Sequence, residues 1–453
     1  MEQHTIDIVE REHQQEKWIE VTDHIRLQMK SNTPRANEPL PDEPCIFRVH
    51  EGLCHVNEKA YTPMLVSIGP YHHGHPKLLP MEKHKEHYFE LLLQRNNQRN
   101  EEYLDSMKKL EERARKYYAN PTDHLNSGEF VKMMLNDACF VIEFLVGIHE
   151  YFLVKHQHQL RQEGQQLCHV SDNTIVKVSW MRMHICQDLI LLENQLPFFV
   201  LSEFYSMSCR RTENPNQKHP TLIELAKYPI TCMLPRRDKI QFENRHFNES
   251  KHFLDLVQMF VIILVSQSMQ STPPPELEEA GVTFEERKEV SMFDIVFEHG
   301  HFKIPKFEVC DSTEIFFRNI IAYEQHSSDD KPKYFTDYTF FMDLLIKSKE
   351  DVNKLRRNKV IDNMLGDDEA ALMFKNLGKG KIILQHFCYA KLCSKVNAHC
   401  ETWWYRGVAS LKPDYFKNMW VTVATFAVAF LLLLTLTQTV ISVITMLASL
   451  SPR

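Results

Sequence analysis

Residues 130–154 read FVKMMLNDACFVIEFLVGIHEYFLV, an apolar stretch with a helical period. The residues that carry this period are Met134, Ala138, Val141, Leu145 and Ile148. Their spacing of three and four positions places them on one face of an α-helix. Asp137 and Glu143 interrupt the stretch before it reaches a length that crosses a bilayer, so we predict a helix in the protein core.

A second apolar stretch runs from Ser179 to Met207 and contains ILLENQLPFF at residues 190–199. We predict a second core helix here, which Pro197 ends or kinks because proline lacks the backbone N–H. The triplet Glu193-Asn194-Gln195 is polar within an apolar setting. We interpret it as a cap at the kinked end, and a pocket lining is the alternative.

Two regions of the chain have the pattern of strands. Phe293, Ile295 and Phe297 alternate with polar residues, and a turn at His299-Gly300 leads into residues 302–309, which predicts a β-hairpin.

The short β-compatible runs at residues 46–49 and 64–68 either pair or are simply extended.

Residues 210–245 are rich in proline, asparagine and charge, which predicts a surface excursion. The predicted fold class is mainly α (α+β): a large helical body with a small β-hairpin or sheet region, plus one C-terminal transmembrane helix.

The C-terminal segment, Met419 to Leu450, carries no charged residue in about 32 positions. Crossing a hydrocarbon core takes about 20 apolar residues, so the segment predicts a single-pass membrane anchor. Arg406, Lys412 and Lys417 precede the span and only Arg453 follows it, so we expect the body to face the cytosol. The plasma membrane and the endoplasmic reticulum both fit this arrangement.

Four polar residues lie on one face of the predicted span: Gln438, Ser442, Thr445 and Ser449. Their spacing of four, three and four predicts a surface through which two copies associate as a homo-oligomer. The alternative is that each hydroxyl bonds to a carbonyl of its own helix.

Composition and motifs restrict the function classes. The chain has 60 acidic and 53 basic side chains among 453 residues, and its net charge of −7 does not favour nucleic acid as a partner. The glycine-rich phosphate-binding patterns and the GxSxG nucleophile turn are missing from the sequence. We therefore expect neither an enzyme nor a bound cofactor.

Histidine is concentrated in one stretch, Tyr71-His72-His73-Gly74-His75, with His84 and His87 further along. We interpret it as a turn whose imidazoles bond to the backbone, so no metal site is expected. The alternative is a metal site, or a metal-dependent enzyme, with His72, His73 and His75 as ligands and His84 or His87 added, because clustered imidazoles bind transition metals.

These patterns divide the chain into four parts. We predict a polar N-terminal arm at residues 1–44, a single large helical body at 45–400, a juxtamembrane linker at 401–418 and the transmembrane helix at 419–450. The first residues contain neither a basic n-region nor an apolar h-region, so we expect no signal peptide.

Several of these local runs together resemble the plant domain-of-unknown-function 247 family. The matching runs include IFRV at 46–49, VSIGPYHHG at 66–74, MMLNDACF at 133–140, DLILLENQLPFF at 188–199 and RNIIAYEQ at 318–325. The resemblance marks a set of family-motif positions to which we assign a structural role. They are Tyr71, His72, His73, Gly74, Glu193, Asn194, Gln195, Pro197, Asn319 and Glu324.

The resemblance implies a plant protein with a C-terminal membrane helix and assigns no catalytic residue. Some members of the family are associated with self-incompatibility loci in grasses, which implies recognition or signalling for part of it. We expect a membrane-anchored, non-enzymatic protein that binds an unknown protein partner. A receptor that faces outside requires the reverse topology, and glycosylation of Asn248 would favour it.

Overall fold

The computed structural model describes residues 44–96, 100–160, 174–209, 219–235, 250–268, 283–288, 291–326, 332–380, 387–401 and 419–449. The predicted arm at 1–44 and the predicted linker at 401–418 lie almost wholly outside these ranges. Nearly all of the buried apolar side chains between Cys45 and Tyr389 form one cluster.

Helices dominate the described residues, and the short strands fall in the second half of the chain. The elements are α1 (Glu51–Cys54), a 3-10 turn (Glu58–Ala60), α2 (Leu79–Asn96), α3 (Asn100–Lys116), α4 (Ser127–Leu160), α5 (Thr174–Lys177), α6 (Ser179–Asp188), α7 (Phe198–Cys209), α8 (Leu222–Met233), α9 (Phe253–Ser268), β1 (Thr283–Arg287), β2 (Val296–Glu298), β3 (His301–Pro305), β4 (Phe307–Val309), α10 (Asp311–His326), α11 (Tyr334–Leu345), α12 (Lys349–Arg357), β5 (Ile361–Asn363), α13 (Asp367–Leu377), α14 (Ala390–Glu401) and α15 (Met419–Ser449).

Helix α4 is the central element, and α2, α3, α7 and α8 all pack against it. Asn126 and Glu129 begin it with a reciprocal cap, in which each side chain accepts the other residue's backbone N–H at 3.0 Å. The predicted core face is confirmed, because all five of its apolar residues are buried: Met134, Ala138, Val141, Leu145 and Ile148.

The second predicted core helix is wrong in its middle. Helix α6 ends at Asp188 and α7 begins at Phe198, with no helix between them. The amides of Asn194 and Gln195 donate to the carbonyls of Asp188, Leu189 and Leu191, which would accept backbone N–H groups in a continuous helix. The helix therefore ends well before Pro197, and that proline precedes the next helix.

The predicted surface excursion at residues 210–245 is also corrected. Its described part contains α8, whose first turn has the capping box of Thr221 and Glu224. One face of α8 is buried, including Leu225 and Ile230. The sequence T-x-x-E before an apolar run is the signal that the charge and proline content of the flanks obscured.

The predicted hairpin forms, but it is shorter than expected. Strands β2 and β3 pair antiparallel around His299 and Gly300, whose positive φ angles of 51° and 80° suit a tight two-residue turn. Strand β1 adds to β3 in parallel. The prediction continued the hairpin to Val309, whereas β4 leaves it after Pro305 and pairs in parallel with β5.

The two β-compatible runs near the start of the body do not pair with each other. Ile46 makes an isolated bridge with Tyr118, and residues 64–68 form no strand, so both runs are extended. The fold class is confirmed as mainly helical with a small region of mixed sheet. The apolar helix α15 is the last element of the described residues, and its residues from Phe426 to Val443 are not buried against the body.

Candidate functional site

The segment from Met64 to Gly69 enters the core at Val66 and has no neighbouring strand, so side chains must accept its backbone N–H groups. Asp188 accepts three of them. Its Oδ1 accepts from Met64 at 2.8 Å, and its Oδ2 accepts from Leu65 at 2.8 Å and from Val66 at 2.9 Å. The last residue of α6 is thereby fixed to this segment.

Asn194 bonds to the same segment from the connection between α6 and α7. Its Oδ1 accepts the N–H of Ile68 at 2.7 Å. Its Nδ2 donates to the carbonyls of Val66 at 3.1 Å and Asp188 at 2.9 Å. A single side-chain amide thus satisfies backbone groups of both segments where they meet. This role is longer in range than the predicted cap.

Gln195 joins the connection to helix α9. Its Nε2 donates to the carbonyls of Leu189 at 2.7 Å and Leu191 at 2.8 Å, and its Oε1 accepts the N–H of Leu254 at 3.0 Å. The last bond satisfies one of the N–H groups that every helix leaves unpaired in its first turn. Asn194 and Gln195 therefore bond across the core, in addition to their bonds at the end of α6.

Gly69 is the last residue of the segment and contacts helix α4. Its φ of +78° lies in the left-handed region, and a Cβ there would lie 2.5 Å from the carbonyl oxygen of Gln195. Its N–H donates to Asp137 Oδ2 at 2.8 Å. The other oxygen of Asp137 lies 2.6 Å from Nζ of Lys85, and both side chains are buried. A buried ion pair of this kind costs stability if either partner is removed.

The family-motif residues Asn319 and Glu324 of α10 are buried and bonded in the same manner. Asn319 accepts the N–H of Leu192 at 2.9 Å and donates to the carbonyl of Ala60 at 2.8 Å. Glu324 accepts the N–H groups of Phe335 and Thr336 at 3.0 and 2.8 Å, which caps the start of α11.

We call the five side chains Asp137, Asp188, Asn194, Gln195 and Asn319 the polar core network. They come from four separate parts of the chain, and each bonds to backbone groups distant in sequence. Their hydrogen bonds go to backbone groups of the same chain. The network therefore holds extended segments in place within a helical body.

Burial sets the protonation behaviour of the acids in this region. It raises the pKa of Asp188 to about 6, although the three backbone N–H donors oppose the shift. It raises the pKa of Glu324 to about 7 for the same reason. It also raises the pKa of Asp137, and the neighbouring Lys85 ammonium is the largest opposing effect.

Glu193 lies at the solvent edge of the polar core network. Its Oε1 accepts the N–H of Val49 at 2.8 Å, and its Oε2 lies 3.3 Å from Arg48 Nη1 and 3.6 Å from His72 Nε2. Tyr71 supports this corner, because its hydroxyl donates to the carbonyl of Ile46 at 3.1 Å and Arg48 lies over its ring. Burial, together with the charge of Arg48, lowers the pKa of His72 to about 4.

The structure does not bring the clustered imidazoles together as a ligand set. His72 points to Glu193, His73 is half-buried, and His75, His84 and His87 are exposed. Within the described ranges, no three His, Cys, Asp or Glu side chains are grouped so that they could hold a metal ion.

The stretch around Gly74 forms a turn at the surface. His75 Nδ1 accepts the N–H of Lys77 at 3.3 Å, which is the backbone bonding that the turn interpretation predicts. Gly74 has a φ of +76° and lies in open space, with no heavy atom near its missing Cβ.

The predicted association face lies on α15. Gln438 and Ser442 are exposed there, while Thr445 and Ser449 belong to the same helix but their side chains fall outside the described set. Three threonines of the helix, Thr435, Thr437 and Thr439, donate their hydroxyls to carbonyls of the preceding turn.

Sequence reasoning missed the roles of three buried charged residues, Asp137 of the polar core network and Lys85 and Asp255 outside it. From the sequence, Asp137 was only a charge that interrupts an apolar stretch, and Lys85 and Asp255 were not singled out. Asp255 is buried, accepts the N–H of Lys251 at 2.8 Å and accepts the Tyr323 hydroxyl at 2.7 Å. For Asp137 and Asp255, an isolated charge in an apolar helical stretch was the available signal, whereas Lys85 lies among other charged residues.

Comparison with known proteins connects these positions to a family. A family model described as a plant protein of unknown function, DUF247, matches residues 46–434. The chain is similar to UPF0481 protein At3g47200 of Arabidopsis thaliana, at 28% identity over 89% of this chain and 87% of that protein. It is also similar to the putative UPF0481 protein At3g02645 of the same plant, at 22% identity over 86% of this chain and 88% of that protein. No solved structure matches.

Proposed function

The chain belongs to the domain-of-unknown-function 247 family of plant proteins, and on that premise we propose that it is a membrane-anchored protein that acts by binding a protein partner, in recognition or signalling. The helical body carries the binding surface and α15 holds it at a membrane. The proposal assigns no catalytic step to the chain and uses no metal or nucleic acid.

The observation that carries the proposal is the exposure of α15. The helix has 31 residues, which at about 1.5 Å per residue exceeds the roughly 30 Å of a hydrocarbon core. Its apolar window from Phe426 to Val443 is not buried against the body. In water, an apolar surface of this size is unfavourable unless lipid or protein covers it.

The body supports a binding role through what its polar residues do. The side chains that the motifs single out, from Asp188 to Asn319, bond to backbone groups of the chain itself. They stabilise a fixed arrangement of helices and of the extended segment at Met64–Gly69. A body of this kind offers its outer surface to a partner and keeps Asp188, Asn194, Gln195 and Asn319 inside.

The orientation follows from charge. Arg406, Lys412 and Lys417 stand on the body side of the span and favour the cytosolic side of a membrane. The proposed partner is therefore a cytosolic protein, or the cytosolic part of a membrane protein. Glycosylation at Asn248 in cells would contradict this orientation.

Proximity labelling in plant cells tests the proposal. The full chain carries a labelling enzyme at its N-terminus, and the matched control carries residues 402–453 behind an unrelated folded domain. We expect a set of proteins that the full chain labels and the anchor-only control does not. A second control without residues 419–453 separates the two kinds of partner: the released body should still label a cytosolic protein and should lose a membrane protein from the set. Identical labelled sets for the full chain and the anchor-only control would contradict a binding role for the body.

A further inference from the structure

We propose that two copies of the chain associate in the membrane through α15, with the Gln438 side chains of the two copies bonded to each other. The inference rests on the proposed function, because it requires α15 to span the bilayer. Of the four polar residues on the predicted association face, it assigns the hydrogen bond between copies to Gln438 alone.

Gln438 lies deep within the span. It is four residues from Leu434 at the middle of Met419–Ser449, or about 6 Å along the helix axis. The hydrocarbon core extends about 15 Å to either side of its centre, so the amide lies inside it. Lipid tails offer no hydrogen bond, and an unpaired amide is costly there.

The threonines around Gln438 have no such need. The Thr437 hydroxyl donates to the carbonyls of Leu433 at 3.1 Å and Leu434 at 2.8 Å, and the Thr435 hydroxyl donates to Leu431 at 2.6 Å. These hydroxyls are satisfied within their own helix. The Gln438 side chain makes no hydrogen bond to any described residue, and its primary amide keeps both donor and acceptor groups available.

A second copy is the partner that the geometry favours. All copies enter one membrane in the same direction, so their α15 helices are parallel and each residue lies at the depth of its counterpart. In a two-fold pair of parallel helices, each residue near the axis meets itself. A glutamine amide is complementary to another glutamine amide, because each oxygen accepts from the nitrogen of the other copy.

The neighbours of Gln438 provide the packing surface. The residues on this seam repeat with spacings of three and four: Leu431, Leu434, Gln438, Ile441 and Thr445. That repeat is the one that packs two helices in a left-handed pair, in which a single polar residue fixes register and number of strands. The described part of the body does not cover it, since the window from Phe426 to Val443 is not buried.

Förster resonance energy transfer between two labelled copies of the chain tests the inference. The full chain is made with a donor or an acceptor fluorescent protein at its N-terminus and reconstituted in phosphatidylcholine vesicles at falling protein-to-lipid ratios. Gln438→Leu removes the amide and should raise the dissociation constant about three- to tenfold. Gln438→Asn keeps an amide and should recover part of the affinity.

The matched control is Thr437→Val, which removes a polar group at nearly the same depth whose bonds lie within its own helix. It should leave energy transfer unchanged. Equal energy transfer for the wild type and Gln438→Leu would overturn the inference, whether association then occurs through the bodies or does not occur.

Alkaline carbonate extraction of the same vesicles separates this failure from failure of the anchor. A chain that stays in the membrane but does not depend on Gln438 contradicts only the pairing. A wild-type chain that carbonate releases contradicts the proposed function as well.

Discussion

The carboxylate oxygen Oδ2 of Asp188 lies 2.9 Å from the backbone nitrogen of Val66, a residue 122 positions earlier in the chain. This bond joins the end of a helix to an extended segment that has no strand beside it. Asp188 is buried, and it holds the N–H groups of Met64 and Leu65 as well. The early motif of the sequence is therefore positioned by the later one.

We predict that Asp188→Asn lowers the free energy of unfolding by about 3 kcal/mol, because one acceptor oxygen becomes a donor that faces buried N–H groups. Chemical unfolding of the detergent-solubilised full chain measures the change. Asp105→Asn is the control, since Asp105 is exposed and lies 3.7 Å from Lys108. A shift no larger than that of the control would show that the bonds of Asp188 contribute little.

A pair of glycine substitutions separates backbone strain from steric overlap. Gly69 and Gly74 have nearly equal φ angles, +78° and +76°, but only Gly69 has backbone atoms where a Cβ would lie. Gly74→Ala should cost about 1 kcal/mol for the left-handed backbone alone. Gly69→Ala should cost at least about 2 kcal/mol more, because Gln195 must move. Thermal unfolding of both variants tests this, and equal midpoints would contradict the packing of the segment against the triplet.

His252 makes stability depend on pH. It is buried, its Nε2 lies 3.2 Å from the Cys45 carbonyl, and its Nδ1 accepts the N–H of Asp255, so the folded state holds the neutral imidazole. Burial lowers its pKa to about 4, whereas the unfolded value is about 6.5. Between pH 6.5 and 4 the unfolded chain therefore binds a proton that the folded chain does not.

We predict that this proton removes about 3 kcal/mol of stability as the pH falls from about 6.5 to 4. Unfolding at a series of pH values, for the wild type and for His252→Gln, isolates the contribution as the difference in slope. The exposed His87→Gln serves as the control and should keep the wild-type slope. A wild-type slope that persists in His252→Gln would assign the effect to other groups.

The parts of the fold that could be predicted from sequence are those that local periodicity determines. The apolar spacing through Met134 and Leu145 gave the central helix, and alternation up to His299-Gly300 gave the hairpin. The break between α6 and α7 could not be predicted in this way. It depends on Asn194, whose partner Ile68 lies 126 residues away, and a local pattern contains no information about that contact.

The candidate site shows the same division. The triplet Glu193-Asn194-Gln195 stood out because polar residues are unusual in an apolar run, which predicted a local cap. Its partners on the segment at Met64–Gly69 and on α9 were not expected, since they arise only in the folded chain. The histidines stood out by number alone, and the structure directs them to different surroundings.

Membrane residence is the central claim, and alkaline carbonate extraction of plant microsomes measures it most directly. The full chain and a chain that ends at residue 418 are expressed at matched levels, and each is quantified in pellet and supernatant. We predict that the full chain stays in the pellet and that the truncated chain, which lacks α15, moves to the supernatant. Release of the full chain by carbonate would contradict an anchor at Met419–Ser449.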